Sequence, residues 1–212
     1  MIVIAVVNLK GGSTKTTTAG FLCAAFHESG MRVLGVDADG ENESLQGWQE
    51  AADLLFPVIT LAVSNLHKQL PGIVGDRYDV VVIDTPPMTA QRGTVLSAAR
   101  IATHVIVPMA PTPIEYDRLP AVRELLADAA DLRPNGQPPA FAVLLTRVKP
   151  QAASTRVYRD LITEDGITVL KAQVGNLERF AQAWGDPIVN ATNSAYGDAA
   201  LELLDLGQED AA

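Results

Sequence analysis

The sequence has one cysteine, few aromatics (5%), no long apolar run, and no Lys or Arg in residues 181–212. Each shortage excludes something. Cys23 alone can form no intramolecular disulfide and leaves no Cys cluster for zinc or iron–sulfur. The apolar run Ile2–Val7 is too short to span a bilayer and lacks the charged start and cleavage site of a signal peptide. A C-terminal stretch without cations cannot form the basic amphipathic helix of a peripheral membrane anchor. No internal repeat or linker divides the chain. Together these absences predict a soluble, cytoplasmic protein with no membrane partner.

What is present is apolar and ordinary in glycine and proline. Of 212 residues, 48% are hydrophobic and 19% charged. A chain of this length and composition buries roughly 70% of its unfolded surface, so it is not disordered. We read residues 1–212 as one domain, with only Gln208–Ala212 expected to fray. The charge is −9, from 16 Lys+Arg and 25 Asp+Glu, which argues against a dedicated nucleic-acid binder. It is unevenly spread. Residues 146–180 are net basic, carrying Arg147, Lys149, Arg156, Arg159, Lys171 and Arg179, whereas 181–212 are purely acidic.

Apolar β-branched runs alternate with stretches of helical period. Strands are expected at Ile2–Val7, Arg32–Val36, Val58–Ala62, Val80–Ile83, His104–Val107, Ala140–Leu145 and Thr168–Leu170. Helices are expected at Thr16–Ser29, Ser44–Leu55 (Ser44 as N-cap), Asn65–Gly75 (interrupted by Pro71), Thr94–Ala102, Tyr116–Leu132, Ala153–Glu164, Leu177–Trp184 and Ser194–Leu206. The strands are continuous apolar runs rather than alternating ones, the pattern of a parallel sheet covered on both faces. The expected fold is therefore α/β and doubly wound, a mostly parallel sheet with helices on both faces and ligands at the carboxyl ends of the strands.

The first strand runs into Asn8-Leu9-Lys10-Gly11-Gly12-Ser13-Thr14-Lys15-Thr16-Thr17. Glycines allow the backbone to approach an anion, and the following helix offers free N–H groups and its positive dipole end. In such a loop Lys15 reaches the β- and γ-phosphates and the Thr16 hydroxyl ligates Mg²⁺. The common template G-x-x-x-x-G-K-[ST] is missed twice, because Leu9 and Thr14 stand where it has glycine. A β-branched residue at positive φ is an outlier, so Thr14 is expected at ordinary φ, with Gly11-Gly12 absorbing the unusual dihedrals. Asp37 and Asp39 close the second strand, and Asp84 closes the fourth. One such carboxylate would be read as solvated or as capping the next helix. Three beside a phosphate loop point to a Mg²⁺-dependent phosphoryl site.

These segments resemble a known family. Lys10–Thr17 is similar to the deviant Walker A motif of the ParA/MinD superfamily, K-G-G-x-G-K-[ST]-T. Val36-Asp37-Ala38-Asp39-Gly40-Glu41-Asn42 resembles that family's V-D-x-D-P-Q-x-N region, with Gly40 in place of Pro. Val82-Ile83-Asp84-Thr85-Pro86-Pro87 resembles its Walker B and second switch. Val105–Pro108 with Pro111-Thr112-Pro113, and Leu144-Leu145-Thr146-Arg147-Val148, resemble its later strands. The likeness covers residues 1–190, and the group it resembles is the small ParA-type partition ATPases without an N-terminal helix-turn-helix.

The resemblance implies a P-loop NTPase fold, ATP and ADP as ligands with Mg²⁺, and a slow, partner-stimulated ATPase that dimerises on ATP and resets on hydrolysis. It implies that Lys10 crosses the dimer interface to the partner's nucleotide and that Asp39 orients the attacking water. Gly11, Gly12, Ser13, Thr14, Lys15, Thr16 and Thr17 would cradle the phosphates. Thr16, Asp37 and Asp84 would hold Mg²⁺, Asp37 through water. Thr146 and Arg147 would lie near the base. The family's later pattern of an apolar residue, Arg and Tyr appears here as Val174, Leu177 and Phe180, without the Arg.

The implied partners are a second copy of the chain, a small centromere-binding ParB-type protein and non-specific DNA. The DNA would meet Arg147, Lys149, Arg156 and Arg159, with nucleoid association as the consequence. Arg156 and Arg159 are spaced to share a helix face. The implied role is partition of plasmid or chromosomal DNA. The alternatives are a ParA-like ATPase that positions a protein cargo without DNA, and a ligase resembling dethiobiotin synthetase. Lys10 and the Asp-Thr-Pro-Pro segment disfavour the ligase. His27, His67 and His104 have no ligand-spaced partners, and Met88, Met109, Trp48 and Trp184 are read as packing residues.

Overall fold

The computed structural model describes residues 1–42 and 44–206. Gln208–Ala212, expected to fray, lie outside the described residues. Seven strands form one parallel sheet: β1 (Ile2–Val6), β2 (Val33–Asp37), β3 (Val58–Thr60), β4 (Val80–Asp84), β5 (His104–Met109), β6 (Ala140–Val148) and β7 (Thr168–Gly175). Their order is β3-β2-β4-β1-β5-β6-β7. The helices are α1 (Lys15–Glu28), α2 (Ser44–Ala52), α3 (Leu66–Val74), α4 (Arg92–Ile101), α5 (Pro113–Tyr116), α6 (Leu119–Asp131), α7 (Ala153–Glu164), α8 (Glu178–Ala181) and α9 (Ala195–Leu206).

The pleat sends alternate side chains to two cores. Ile4, Val6, Val80, Val82, Ile106 and Leu144 pack on one face beneath α1 and α9. Val3, Ala5, Val81, Ile83, Val105 and Val143 pack on the other, beneath α3, α4 and α6. Both faces are covered, which is why the strands read as unbroken apolar runs. Helix α1 is itself nearly all buried, from Thr18 through Phe26. The expected alternation and the doubly wound class therefore hold.

Several boundaries differ from expectation, each for a local reason. Helix α3 runs straight through Pro71, because Leu66, Leu70 and Val74 recur at helical spacing and are all buried against the sheet. The expected helix 116–132 is found as α6, with Pro120 in its first turn, and a separate short helix, α5, precedes it. Pro120 has no N–H for the carbonyl of Tyr116 and its ring clashes there, so α5 ends at Tyr116. Strand β5 continues through Pro108, whose carbonyl accepts from the Asn8 side chain past the end of β1. The proline's missing donor thus falls on the β1 side, beyond the end of that strand, while β6 pairs along the other side. Strand β7 continues to Gly175 as a sheet edge, its side chains alternately exposed and buried. The expected helix 177–184 shrinks to α8. Trp184 leaves it to lie over α2, where its Nε1 donates to the Ser44 carbonyl at 2.8 Å.

Candidate functional site

The loop between β1 and α1 sits at the centre of the sheet, where β1 is flanked by β4 on one side and β5 on the other. This is the switch point of an open α/β sheet, where crevices form outside the strand ends. A cavity of about 480 Å³ opens there, and Gly11–Thr17 form its floor. Asp39, Asn42, Thr85 and Pro87 wall one side, and Thr146, Arg147, Asn176, Leu177, Phe180 and Tyr196 the other.

The loop turns twice through left-handed backbone. Gly12 has φ 73°, and Thr14, just before α1, has φ 64° and ψ 19°. The expectation of ordinary φ at Thr14 is therefore corrected. Gly12 makes one reversal, but the N–H groups ahead of the helix need a second, and it falls on Thr14. The strain is held by hydrogen bonds: the Thr14 hydroxyl donates to the Ser13 carbonyl at 2.6 Å and lies 3.3 Å from Thr146 Oγ1.

Lys15 is 7% exposed. Its Nζ donates to the Lys10 carbonyl at 3.2 Å. Burial holds its pKa below the usual lysine range, with Asp84, Asp39 and Glu115 acting in the opposite sense. A buried ammonium with a neutral carbonyl acceptor fits an anionic ligand. Ser13 Oγ donates to the same carbonyl at 3.1 Å. Lys10 itself is exposed at the rim.

Thr16 Oγ1 donates to Asp84 Oδ2 at 2.6 Å. Asp84 Oδ1 is buried without a partner. Burial pushes the Asp84 carboxyl up to about 7, and the nearby Asp37 charge adds to this. An orphaned buried carboxylate oxygen beside a threonine hydroxyl at a phosphate loop is a donor set that fits Mg²⁺. Among the described residues there is no cluster of three or more His, Cys, Asp or Glu that could hold a metal by protein ligands alone. That suits an ion sharing its coordination with phosphate and water.

Asp37 is fully buried, and its carboxylate is engaged by backbone. Its Oδ1 accepts from Asp39 N at 3.0 Å, and its Oδ2 from Leu45 N at 2.8 Å and Gln46 N at 3.0 Å. It thus caps α2 in the role expected of Ser44, which is the first helical residue instead. Asp37 meets Asp84 across the β2–β4 pair, and neither carboxylate is among the residues lining the cavity. Asp39 does reach the wall. Its Oδ1 accepts from Glu41 N at 3.2 Å and Asn42 N at 3.3 Å, and its Oδ2 from Asn42 Nδ2 at 2.9 Å.

The four expected DNA-contacting cations are dispersed. Arg147, at φ 53°, turns into the cavity, and its Nη2 donates to the Gly12 carbonyl at 2.5 Å. Arg159 is half-buried against β7 and donates to the Val169 carbonyl. Arg147 is nonetheless exposed, as are Lys149 and Arg156, the last 3.7 Å from Asp160. Arg156 and Arg159 therefore do not share a solvent face.

Sequence reasoning missed Asn8, Asn42, Asn176 and Tyr196. Asn8 is buried between the loop and β5 and accepts from Leu9 N at 2.6 Å while donating to the Pro108 carbonyl at 2.9 Å. Its carbonyl takes the Met88 N–H at 3.1 Å, tying the Pro86–Ala90 loop to the phosphate loop. Tyr196 stacks on Phe21 with ring centroids 5.0 Å apart, far from any motif in sequence.

The chain is similar to several known proteins. A maintenance of carboxysome distribution protein A from Gloeobacter kilaueensis is 34% identical over 173 residues, 80% of this chain and 74% of that protein. The structure of apo McdA from Cyanothece superposes with a TM-score of 0.76 at 17% identity, over 96% of this chain and 99% of that one. The septum site-determining protein MinD from Pyrococcus horikoshii, solved with Mg-ADP, superposes at 0.71 and 19% identity, over 98% and 95%. These structures share the all-parallel P-loop NTPase-like fold, and ATP or ADP with Mg²⁺ is the cofactor set that the cavity's residues fit. Among the described residues no helix is long and apolar enough to cross a membrane. The model of the CobQ/CobB/MinD/ParA nucleotide binding domain matches residues 4–186, and the chain belongs to that family.

Proposed function

We propose that the protein is an ATP-dependent dimerising switch of the ParA type, whose Mg²⁺-dependent hydrolysis resets the dimer, acting in partition of plasmid or chromosomal DNA. The observation that carries the nucleotide reading is the buried Lys15 ammonium together with the Thr16–Asp84 pair, one oxygen of whose carboxylate is buried without a partner. The loop N–H groups and Lys15 take the phosphates. Thr16 and Asp84 would hold Mg²⁺, which when bound would supply positive charge against the phosphates. Asp37 supports this end of the site by fixing β2 and the start of α2 rather than by facing the ion.

Asp39 orients the attacking water. Its carboxylate is pinned by Asn42 and two backbone N–H groups, so its position costs little entropy at the moment of reaction. Lys10 is exposed at the rim of its own cavity, as a residue serving the facing subunit's phosphates must be. There it would stabilise transition-state charge as an arginine finger does. A small centromere-binding ParB-type protein is the proposed stimulating partner.

Sedimentation with and without ATP and Mg²⁺ tests the switch. Wild type should pass from monomer to dimer. Lys15→Ala should bind no nucleotide and stay monomeric, and Asp39→Ala should persist as an ATP-bound dimer. Normal ATP affinity in Lys15→Ala, by calorimetry, would overturn the site assignment.

A second reading is favoured by a specific observation. The cations expected to meet DNA are dispersed: Arg147 is exposed but bonded to the Gly12 carbonyl, Arg159 is drawn against β7, and Lys149 and Arg156 alone are exposed without either engagement. With net charge −9, two contacts per subunit predict weak, salt-sensitive DNA retention. That suits a ParA-like ATPase that positions a protein cargo; the name of the Gloeobacter relative speaks of maintenance of carboxysome distribution. Retention of duplex DNA at low salt with ATP separates the two. Loss on Lys149→Ala with Arg156→Ala supports DNA partition and nucleoid association, while no retention by wild type supports a protein cargo.

A further inference from the structure

The β6–β7 pair is irregular in a way the nucleotide site does not itself explain. Val143 pairs with Val169 and Leu145 with Gln173, so a two-residue step on β6 is matched by a four-residue step on β7. Because side chains alternate with period two, an insertion of two residues leaves every β7 side chain on its own face. Leu170, Ala172 and Val174 all stay buried in the same core. The hydrophobic pattern therefore does not distinguish the slipped register from the regular one.

Something else must select it, and the hydrogen bonds show what. Within the slip, the N–H groups of Lys171 and Ala172 donate to Glu202 of α9, at 2.6 Å to Oε2 and 2.7 Å to Oε1. From the opposite helical layer, Arg159 of α7 donates to the Val169 carbonyl at 3.3 Å. Two side chains of opposite charge thus grip the slipped segment from both sides. A second irregularity follows, three residues on β6 against two on β7 between Leu145–Gln173 and Val148–Gly175, so the net offset at Gly175 is one residue, roughly 3.3 Å of travel. The residues downstream, Val174 and Gly175 of β7 and Asn176 and Leu177 just after it, line the cavity. Regular register throughout would move that wall by one residue along the strand and so change the side chains it presents to the cavity.

We infer that Glu202 is a positioning residue for nucleotide binding: it holds the two-residue slip of β7 and so decides which residues wall the base end of the cavity. The inference rests on the nucleotide reading of that cavity. Glu202 lies on the last described helix and touches no part of the phosphate loop. Its action is confined to the β7 wall, so it should separate recognition of the base from recognition of the phosphates.

The test measures the affinity of the full chain for ATP and for inorganic tripolyphosphate, both with Mg²⁺, in wild type, Glu202→Ala and Glu202→Gln. Glu202→Ala should weaken ATP roughly tenfold or more while tripolyphosphate changes less than about twofold. Glu202→Gln keeps one carbonyl acceptor and should fall between. Amide exchange at Lys171 and Ala172 should quicken in the same order. Unchanged ATP affinity, or a parallel loss of both ligands, overturns the proposal, since a general loss of structure has no reason to spare the phosphates. If Glu202→Ala does not fold, the same split is required of Glu202→Gln, and its absence counts equally against the idea. Failure of wild type to bind ATP would instead remove the nucleotide reading itself, and this inference with it.

Discussion

Replacing Thr14 by glycine should stabilise the protein, although it deletes a side chain that makes hydrogen bonds. Thr14 sits at φ 64° and ψ 19°, a left-handed conformation that crowds a branched Cβ. Holding an L-residue there costs roughly 1–2 kcal/mol, and a β-branched one belongs at the upper end. Two losses oppose the relief. Glycine adds unfolded-state freedom worth about 0.5–1 kcal/mol. The hydroxyl's short bond runs to the adjacent Ser13 carbonyl in a half-buried loop, and its contact with Thr146 is long at 3.3 Å, so together they are worth at most about 0.5 kcal/mol. The balance is a gain of about 0.5 kcal/mol, or 1–2 °C in Tm for a domain of this size. Thr14→Val keeps the strain and loses the hydroxyl, so it should lie below wild type. Urea unfolding of the nucleotide-free chain measures all three. A glycine variant less stable than wild type, or valine and glycine shifting in the same direction, would refute the reasoning, because the hydrogen bonds and not the dihedral would then dominate.

Lys10→Ala should bind ATP with wild-type affinity and hydrolyse it at least tenfold more slowly, since the exposed side chain is placed to act on a facing subunit; unchanged turnover per site would remove that role. Gly197→Ala should destabilise by about 2–3 kcal/mol, because its Cβ would stand 2.2 Å from the Thr192 carbonyl oxygen, a backbone atom that cannot swing aside; a thermal melt matching wild type would show that the 191–193 turn can move. Asp84, held up to about 7 by burial, binds its proton more tightly folded than unfolded, so without Mg²⁺ stability should fall as pH rises from about 4 to about 7 and level off above. Urea midpoints at pH 5 and pH 8 should differ less in Asp84→Asn than in wild type, and an equal difference would place the titration elsewhere.

The sequence by itself determined the layered α/β fold, because fully buried parallel strands must be unbroken apolar runs and such runs are visible without coordinates. It also located the phosphate loop, Lys15, Thr16 and the acids at the ends of β2 and β4, since strand ends and helix starts are local features. Long-range pairing was beyond its reach. Asp37 looks like a second metal acid in sequence, and only the packing of α2 against β2 turns its oxygens onto Leu45 and Gln46. Arg156 and Arg159 share a face on helical spacing alone, and it is the neighbouring β7 that draws Arg159 inward. Tyr196 reaches the nucleotide cavity because α9 packs beside α1, a contact between segments far apart in the chain. The register of β7 is the sharpest case. A two-residue slip leaves the period-two pattern unchanged, so no reading of hydrophobicity could reveal it, and its selection falls to one carboxylate on a distant helix.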